Sequence, residues 1–372
     1  MSTASPQSSV ASVTVDQLAE RVFTAALGMM DTLSIYVGDQ LGWYRALAAN
    51  GPTTADELAA ATGTHPRYVR EWLEQQAVTG LLAVAAQPAD PADGSNPPAA
   101  PRFSISAAAA EVFTDTTSLG YVAPLARILA GMSVQLPALL DAYRSGGGVS
   151  WQQFGDEVRQ SQADINRPWF ERELAAALRG VAEVHEALSA VGARVADVGC
   201  GAGWSSIALA AAYPQLQVDG VDIDEPSVVM ARGNAAGAGL ADRVTFTTAD
   251  AGRLAESGYA AAFAFECLHD VPRPVELLAA VRRSLAPGGF LVVMDEAVAP
   301  QFQPDGDDVE RVMYGYSLFL CLPDSLSSPP SAATGTVMRE STLRSYAEQA
   351  GFTQVAVLPI EGFASFRFYL LR

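Results

Sequence analysis

Val195-Ala-Asp-Val-Gly-Cys-Gly-Ala-Gly203 joins a short apolar run, predicted to be a strand, to a loop that contains three glycines. The following residues, 204–212, are predicted to form a helix. Glycine lets the backbone approach a ligand closely and adopt positive φ angles. A second apolar run, 218–223, brings Asp222 and Asp224 to the end of the next strand, where a carboxylate can accept hydrogen bonds from a ribose. A glycine loop followed by such an acid is typical of nucleotide-binding, doubly wound α/β sheets.

The residues around the loop argue against a nucleotide that carries phosphates. A dinucleotide site has Gly or Ala three residues after its second glycine, and this chain has Trp204 there. Asp197 precedes the first glycine by two residues, and its carboxylate would repel a phosphate. The same carboxylate suits a ligand with a cationic amino-acid end. S-adenosylmethionine is such a ligand, since it combines a sulfonium, an ammonium, a ribose and an adenine.

These residues resemble the class I S-adenosylmethionine-dependent methyltransferases, which have a Rossmann-like core. The glycine loop is similar to their first motif, which holds the methionine end of the cofactor, and Pro287-Gly-Gly289 is similar to their turn before the fifth strand. The resemblance spans residues 190–299. It implies that Asp222 binds the ribose, that Asp224 could share this role, and that Asp250 accepts a hydrogen bond from adenine. The cofactor-binding residues predicted in this way are Asp197, Gly199, Gly201, Gly203, Asp222, Asp224, Asp250, Ala251 and Glu266.

Composition limits the class of protein. A chain of 372 residues with 49% hydrophobic residues suggests two or three domains with substantial cores. The net charge is −18, which disfavours nonspecific binding to nucleic acid or to an anionic membrane. The three cysteines are too scattered for a disulfide framework or a zinc cluster, which favours a reducing cytoplasm. We expect a cytoplasmic protein, because the polar N-terminus lacks the pattern of a signal peptide and no apolar run reaches the ~18 residues of a membrane helix.

The first part of the chain has the pattern of a winged-helix domain. Residues 1–12 are predicted to be a disordered tail, and residues 13–105 to form the domain. Its helices are predicted at 15–47, 55–62 and 66–79, and two short strands at 81–84 and 102–105 flank a proline-rich loop. The helix that would read DNA carries two Arg and two Glu, so we expect a dimerisation or packing module. The layout resembles small-molecule methyltransferases of natural-product pathways, which implies a homodimer.

The rest of the chain is predicted to hold a cap and the cofactor domain. Residues 106–190 read as a helical linker and active-site cap, interrupted near 146–149. Residues 191–372 alternate strands and helices, which predicts an α/β fold with a seven-stranded, Rossmann-like sheet. A lid insertion is expected at about 300–340, within which residues 309–322 could form a helix. Strands are expected at 194–199, 217–223, 244–249, 259–267, 289–297, 352–358 and 366–371.

Only one of the three histidines is placed for chemistry. His269 follows the fourth strand of the core, and ligands bind at the carboxyl ends of strands in open α/β sheets. Leu268-His-Asp270 also resembles the motif that holds the general base of O-methyltransferases acting on aromatic substrates. A hydroxyl is a poor nucleophile until it loses its proton, and histidine is the natural acceptor near neutral pH. The predicted catalytic residues are His269, Asp270 and Glu296. Glu266 and Asp270 could orient the imidazole, and Asp295 and Glu296 are expected to face the same cleft.

Several alternatives remain open from the sequence. His269 could pack against the cofactor or the lid while Asp270 caps the next helix. His269 and Asp270 could also be metal ligands, but the third ligand would have to be Cys321 or Glu296, so no metal is expected. The lid lacks the histidine expected before Cys321-Leu-Pro323 in close relatives, which puts a two-histidine mechanism in doubt. C- or N-methylation, a regulator that senses the cofactor, and a non-methylating enzyme are the rival functions.

Overall fold

The computed structural model describes residues 13–85, 100–255 and 257–372. The predicted tail, 1–12, and most of the proline-rich loop lie outside these described residues. The chain divides into two compact units, Met1–Asp115 and Thr116–Arg372.

The first unit has the order of elements predicted for a winged helix. Thr54 caps a helix in a capping box with Glu57, and Pro66 occupies the first turn of the next helix. The predicted helix 15–47 is two helices, because Gly42 takes a left-handed conformation (φ 70°) between them. The elements are α1 (Val15–Gln40), α2 (Trp43–Asn50), α3 (Ala55–Thr62), α4 (Pro66–Val78), the antiparallel strands β1 (Leu82–Val84) and β2 (Phe103–Ile105), and α5 (Ala107–Thr114). Helix α5 belongs to this unit and not to the linker predicted from the sequence.

The second unit begins with a helical segment that precedes the sheet. Gly146 (φ 77°) ends its second helix near the predicted interruption, and Gly155 (φ 78°) bends the third helix. A π-helical stretch at Phe170–Leu174 continues that third helix. The helices are α6 (Ala123–Val134), α7 (Leu136–Ser145), α8 (Trp151–Trp169), α9 (Ala175–Arg179) and α10 (Ala182–Ser189).

A seven-stranded sheet follows, as the sequence predicts. The strands are β3 (Arg194–Val198), β4 (Gln217–Asp222), β5 (Val244–Thr248), β6 (Tyr259–Phe265), β7 (Leu285–Glu296), β8 (Val355–Val357) and β9 (Phe366–Leu371). Their order is β5-β4-β3-β6-β7-β9-β8. Strands β3 to β7 pair in parallel, and β9 is antiparallel to both of its neighbours. The remaining helices are α11 (Trp204–Ala212), α12 (Glu225–Gly237), α13 (Pro274–Ser284), α14 (Asp308–Tyr316), α15 (Leu322–Leu326) and α16 (Glu340–Gln349).

Alternate strand residues supply the two cores of this α/β sandwich. In β3, Val195 faces the core formed with α11 and α12, and Ala196 faces the core formed with α13 and α16. The strand order reverses between β3 and β6. Ligands of open α/β sheets bind in the crevice at the carboxyl ends of the strands at such a point. We therefore expect a ligand-binding site at the loops after β3, β6 and β7.

The described residues contain no single helix that is long and apolar enough to cross a membrane. The bent pair α6 and α7, with an angle of 58° between them, meets the criteria of length and composition only when the two helices are taken together.

Candidate active site

The loop after β3 needs its glycines for two different reasons. Gly199, Gly201 and Gly203 all have positive φ angles (68°, 51° and 79°). A Cβ atom on Gly199 would lie 2.7 Å from Cys267, and one on Gly203 would lie 2.5 Å from the Phe246 ring. A Cβ on Gly201 would meet no described atom within 4 Å. Gly199 and Gly203 are thus required by packing, whereas Gly201 leaves open space above the loop for a ligand.

The carboxylate of Asp197 binds the helix that follows this loop. Its carboxylate is 1% exposed and accepts hydrogen bonds from the hydroxyls of Ser205 (2.6 Å) and Ser206 (2.5 Å) in α11. Burial raises the pKa of Asp197 to about 6, although the two serines oppose this. An acid at this position therefore fixes α11 against β3.

Asp222 and Asp224 have different roles, although the sequence predicts that both lie at the ribose. Asp222 accepts the N–H groups of Gly201 (2.8 Å) and Asp224 (2.8 Å), so it ties the glycine loop to the end of β4. Asp224 caps α12 through Ser227 and forms a buried bidentate ion pair with Arg159 (2.6 and 3.2 Å). Both oxygens of Asp224 thus have partners within the protein. Asp222 is half-buried and has no arginine partner among the described residues, so it is the more accessible of the two to a ligand, whereas Asp224 makes a structural contact.

Asp250 lies in the turn after β5, as expected. Its carboxylate accepts the N–H of Gly252 (2.9 Å) and is 37% exposed, so it remains accessible to an adenine amino group. Ala251 is buried beneath this turn.

Glu266 directly follows β6 and has an unusual conformation. Its φ angle of 50° is rare for a residue with a side chain, and such conformations concentrate at functional sites. Its N–H donates to the carbonyl of Met294 in β7 (2.9 Å), and its carboxylate accepts a hydrogen bond from the amide of Asn166 in α8. Burial, followed by the charge of Glu296, raises the pKa of Glu266 to about 8.

His269 is surrounded by carboxylates from two neighbouring loops. It is 2% exposed, and its Nδ1 lies 3.0 Å from Asp295 Oδ1 and 3.2 Å from Glu296 Oε2. Its Nε2 lies 3.4 Å from Asp270 Oδ1. The structure therefore brings together the predicted residues His269, Asp270 and Glu296. We refer to His269 with Glu266, Asp270, Asp295 and Glu296 as the acid cluster.

Electrostatics in the acid cluster favour the imidazolium form of the histidine. Burial lowers the pKa of His269, but the charges of Asp270, Glu296 and Asp295 outweigh it and raise the pKa well above its ordinary value. Burial raises the pKa of Glu296 to about 8 even though His269 opposes the shift. The carboxyl groups around His269 thus favour its protonated form, and its readiness to accept a proton depends on them.

The acid cluster and Cys321 also supply donor sets that suit a divalent cation. The sets, whose ligand atoms lie within 4.8 Å of one another, are His269 with Asp270 and Cys321, and His269 with Asp295 and Glu296. Both sets need the same imidazole, whose Nδ1 already pairs with Asp295, so at most one of them could bind an ion.

Helix α8 contributes residues that the sequence analysis did not place in the site. Besides Asn166 and Arg159, it brings Arg167 to the start of α11, where the guanidinium lies 4.1 Å from the centre of the Trp204 ring. Arg167 also pairs with Glu171 through Nε (3.0 Å). No local pattern identifies these residues, because α8 precedes the glycine loop by about thirty residues of sequence that carry no motif.

The charge of the site suits S-adenosylmethionine. The acidic side chains at the carboxyl ends of β4, β6 and β7 match a sulfonium and an ammonium group. Asp222 and Asp250 are available for the ribose and adenine, and Gly201 leaves room above the loop.

Two family models match this chain. Residues 195–289 match the model described as a methyltransferase domain. Residues 195–289 are a methyltransferase domain. Residues 25–90 match the model of an Rv2258c-like winged HTH domain, which confirms the predicted winged helix. The methyltransferase domain thus includes the glycine loop, Asp222, Asp250 and His269.

Curated relatives match parts of the chain. It is 35% identical over 123 residues to 27-O-demethylrifamycin SV methyltransferase of Amycolatopsis mediterranei, covering 32% of this chain and 45% of that protein. It is 38% identical over 102 residues to trans-aconitate 2-methyltransferase of Methylobacterium nodulans, covering 27% and 37%. The chain therefore spans less than half the length of these two relatives.

Solved structures match nearly the whole chain. Mitomycin 7-O-methyltransferase MmcR has a TM-score of 0.69 at 23% identity, covering 96% of this chain and 98% of that one. Human N-acetylserotonin methyltransferase in complex with SAM has a TM-score of 0.67 at 17% identity, covering 99% of each chain. This likeness confirms the predicted fold, a seven-stranded Rossmann-like core with an N-terminal winged-helix region.

Proposed function

We propose that this chain is a methyltransferase that uses S-adenosylmethionine to methylate a hydroxyl group of a small molecule. The observation that carries the proposal is the position of His269. It lies among carboxylates at the carboxyl ends of β6 and β7, directly beside the strand that leads into the glycine loop. Bound S-adenosylmethionine would supply an electrophilic methyl group, so that its S–CH3 bond breaks as an O–CH3 bond forms and the sulfonium becomes a neutral thioether.

The chain's own residues would bind and orient the reactants. Asp222 would accept the ribose hydroxyls, Asp250 the adenine amino group, and the N-terminal end of α11 with the glycine loop would hold the methionine end. Alignment of the acceptor with the methyl group can account for ~7–11 kcal/mol of the barrier in favourable cases. Much of the catalysis therefore needs no further group.

His269 would remove the proton of the acceptor hydroxyl. Its Nδ1 is held by Asp295 and Glu296, so Nε2 is the nitrogen that would face an acceptor. A general base contributes typically ~10²–10⁴-fold to the rate. Because the surrounding carboxylates raise the pKa of His269, we expect kcat/KM to rise with pH until the neutral imidazole predominates.

The acceptor is proposed to be an aromatic or polyketide-like metabolite. The proposal rests on the similarity to the methyltransferase that acts on 27-O-demethylrifamycin SV and to MmcR. We further propose that the enzyme needs no metal, works as a homodimer in the cytoplasm and does not bind nucleic acid or membranes. Dialysis against a chelator is expected to leave its turnover unchanged. The paired charges on α4, where Arg67 lies 2.5 Å from Glu71, support the statement on nucleic acid.

Methylation assays on paired variants test this function. Wild-type protein, S-adenosylmethionine and a panel of phenolic metabolites are incubated, and mass spectrometry detects the gain of one methyl group and S-adenosylhomocysteine. His269→Ala is expected to keep cofactor affinity and to lose ~10²–10⁴-fold in kcat/KM. Asp222→Ala is expected to weaken cofactor binding. The matched control is Asp219→Asn. Asp219 lies in the same strand but pairs with Arg194 (2.6 Å), so its substitution should leave the affinity for the cofactor unchanged.

Two results would contradict these assignments. Undiminished turnover by His269→Ala would remove the base assignment, and an unchanged dissociation constant in Asp222→Ala would remove the ribose assignment. Cofactor consumption without a methylated product or S-adenosylhomocysteine would point instead to a non-methylating enzyme.

A further inference from the structure

Glu266 differs from the other carboxyl groups of the acid cluster in its partner. The other three lie within 3.4 Å of an imidazole nitrogen of His269. Glu266 instead accepts a hydrogen bond through Oε2 from the side-chain amide of Asn166 in α8. No hydrogen bond joins its other oxygen, Oε1, to any of the described residues. Since Glu266 is only half-buried, this oxygen is available to a ligand.

The backbone fixes this carboxylate beside the glycine loop. Glu266 has a left-handed conformation (φ 50°), which is costly for a residue with a side chain. Its N–H is held by the carbonyl of Met294 in β7 (2.9 Å). The next residue, Cys267, packs against the loop, because a Cβ atom on Gly199 would lie 2.7 Å from it. Strain of this kind is found where a ligand requires a side chain in one fixed place.

Helix α8 brings opposite charges to this loop from neighbouring positions. Asn166 holds the carboxylate of Glu266, and the guanidinium of Arg167 lies 4.1 Å from the centre of the Trp204 ring, at the start of α11. An α-amino acid carries an ammonium and a carboxylate on the same carbon atom. A carboxylate and a guanidinium at the same loop therefore match both charges of such a group.

Helix α8 is itself fixed over the carboxyl ends of the strands. About two turns before Asn166, Arg159 forms its buried ion pair with Asp224 at the end of β4 (2.6 Å). The amide of Asn166 is thus anchored at a second point along the same helix. Asn166 lies outside residues 195–289, so this contact joins the helical segment before the sheet to the methyltransferase domain.

We propose that Glu266, oriented by Asn166, binds the α-ammonium group of the cofactor, and that Asn166 is a positioning residue for this contact. The inference rests on the proposed function. Oε1 of Glu266 would accept a hydrogen bond from the ammonium, while the amide of Asn166 keeps Oε2 in place. S-adenosylmethionine and S-adenosylhomocysteine both carry this group. Adenosine derivatives without it would bind weakly, because hydrogen bonds between charged groups are the strong ones.

Calorimetric titration with two uncharged thioethers tests the ammonium contact. The ligands are S-adenosylhomocysteine and its analogue that lacks only the α-amino group, so the sulfonium plays no part in the comparison. The wild-type protein should bind S-adenosylhomocysteine ~10-fold or more tightly than the analogue. Glu266→Gln should remove most of this preference by weakening the binding of S-adenosylhomocysteine alone. Glu361→Gln, at an exposed position in the same unit, should leave the preference unchanged.

A double substitution tests the positioning role of Asn166. Asn166→Ala should reduce the preference for S-adenosylhomocysteine. When it is combined with Glu266→Gln, the affinity should be no weaker than with Glu266→Gln alone, because Asn166 acts only through that carboxylate. The matched control is Gln160→Ala. It removes an amide of the same helix that donates to Asp164 (2.8 Å), and it should not change the preference.

The outcomes separate this inference from the function on which it rests. Equal affinity of the wild-type protein for the two ligands would overturn the ammonium contact, and so would an equal loss of affinity for both in Glu266→Gln. Additive losses in the double variant would overturn the positioning role of Asn166. If the wild-type protein binds neither ligand, the proposed function itself fails. Should one substitution prevent folding, the preference measured in the other decides the matter.

Discussion

At the scale of single residues, the carboxyl end of the sheet contains acids in three different states. Asp224 is ionised and paired with Arg159, which lowers its pKa despite its burial. Asp197 accepts hydrogen bonds from two serine hydroxyls. The carboxyl groups of the acid cluster share the imidazole of His269. The sequence predicts that acids follow β4, β6 and β7, but not which of them are already paired. Their partners come from α8 and from the first turns of the helices, which only the fold brings near.

We predict that Arg167 binds the carboxylate of the cofactor. Its guanidinium stacks on Trp204 beside the glycine loop, and its only hydrogen bond among the described residues is from Nε to Glu171. We predict that Arg167→Gln weakens S-adenosylhomocysteine binding by ~10-fold or more, the value of a hydrogen bond between charged groups. Calorimetry measures the dissociation constant.

A ligand without the carboxylate provides the control for this prediction. 5′-Methylthioadenosine has no amino-acid end, so wild-type protein and Arg167→Gln should bind it equally well. Equal loss of affinity for both ligands would show that the substitution disturbs the loop and not a carboxylate contact.

At the scale of elements, two glycines of the glycine loop serve different purposes: Gly203 is needed for folding and Gly201 for ligand binding. A side chain in the left-handed region costs about 1–2 kcal/mol of unfolding free energy. At Gly203 this adds to a clash with Phe246, for which overpacking costs a further ~1–3 kcal/mol. At Gly201 no such clash occurs. We predict that Gly203→Ala lowers the unfolding free energy more than Gly201→Ala, as measured by denaturant titration.

Ligand binding by the same two variants completes this comparison. Gly201→Ala places its methyl group in the open space above the loop and should abolish cofactor binding in a folded protein. Normal affinity in Gly201→Ala would mean that the cofactor does not approach the loop at this residue.

The elements themselves were largely predictable from the sequence. Strands β3 to β7 follow apolar runs that end in glycine or acid, and helices such as α3 and α4 begin at capping residues. The break at Gly42 and the π-helical stretches at Phe170–Leu174 and Ser317–Cys321 were not predicted. They depend on tertiary packing, which overrides a continuous helical pattern in the sequence.

At the scale of the whole molecule, raised carboxyl pKa values predict a stability that falls as the pH rises. Asp197, Asp324, Glu266 and Glu296 have pKa values of about 6, 7, 8 and 8 in the folded protein. The unfolded chain releases these protons near pH ~4, so the folded state binds more protons between about pH 4 and 8. Stability is therefore lost as the pH rises through this window. His269, whose pKa is also raised, acts in the same direction.

Thermal unfolding measured between about pH 5.5 and about pH 8.5 checks this prediction. Tm should decrease with pH, and Glu296→Gln should flatten the slope because it removes one of the protons involved. A Tm that rises over the range would contradict the raised pKa values of these carboxyl groups.

We propose that helix α1 provides the surface for the homodimer. Its large apolar side chains Val22, Phe23 and Met30 are between 64% and 70% exposed, and exposed apolar patches mark interaction sites. We predict that Val22→Glu with Phe23→Glu converts a dimer to a monomer in light scattering. Val78→Glu, on the exposed end of α4, should not. A dimer that survives the double substitution would place the interface elsewhere.

Calorimetric titration of the purified protein with S-adenosylmethionine, and separately with S-adenosylhomocysteine, is the decisive experiment. We expect both ligands to bind in the micromolar range, because the glycine loop, Asp222 and Asp250 meet the parts that the two share. If neither ligand binds to protein that is folded by circular dichroism, the methyltransferase domain does not work as a cofactor site. The function would then have to be sought in the winged-helix unit.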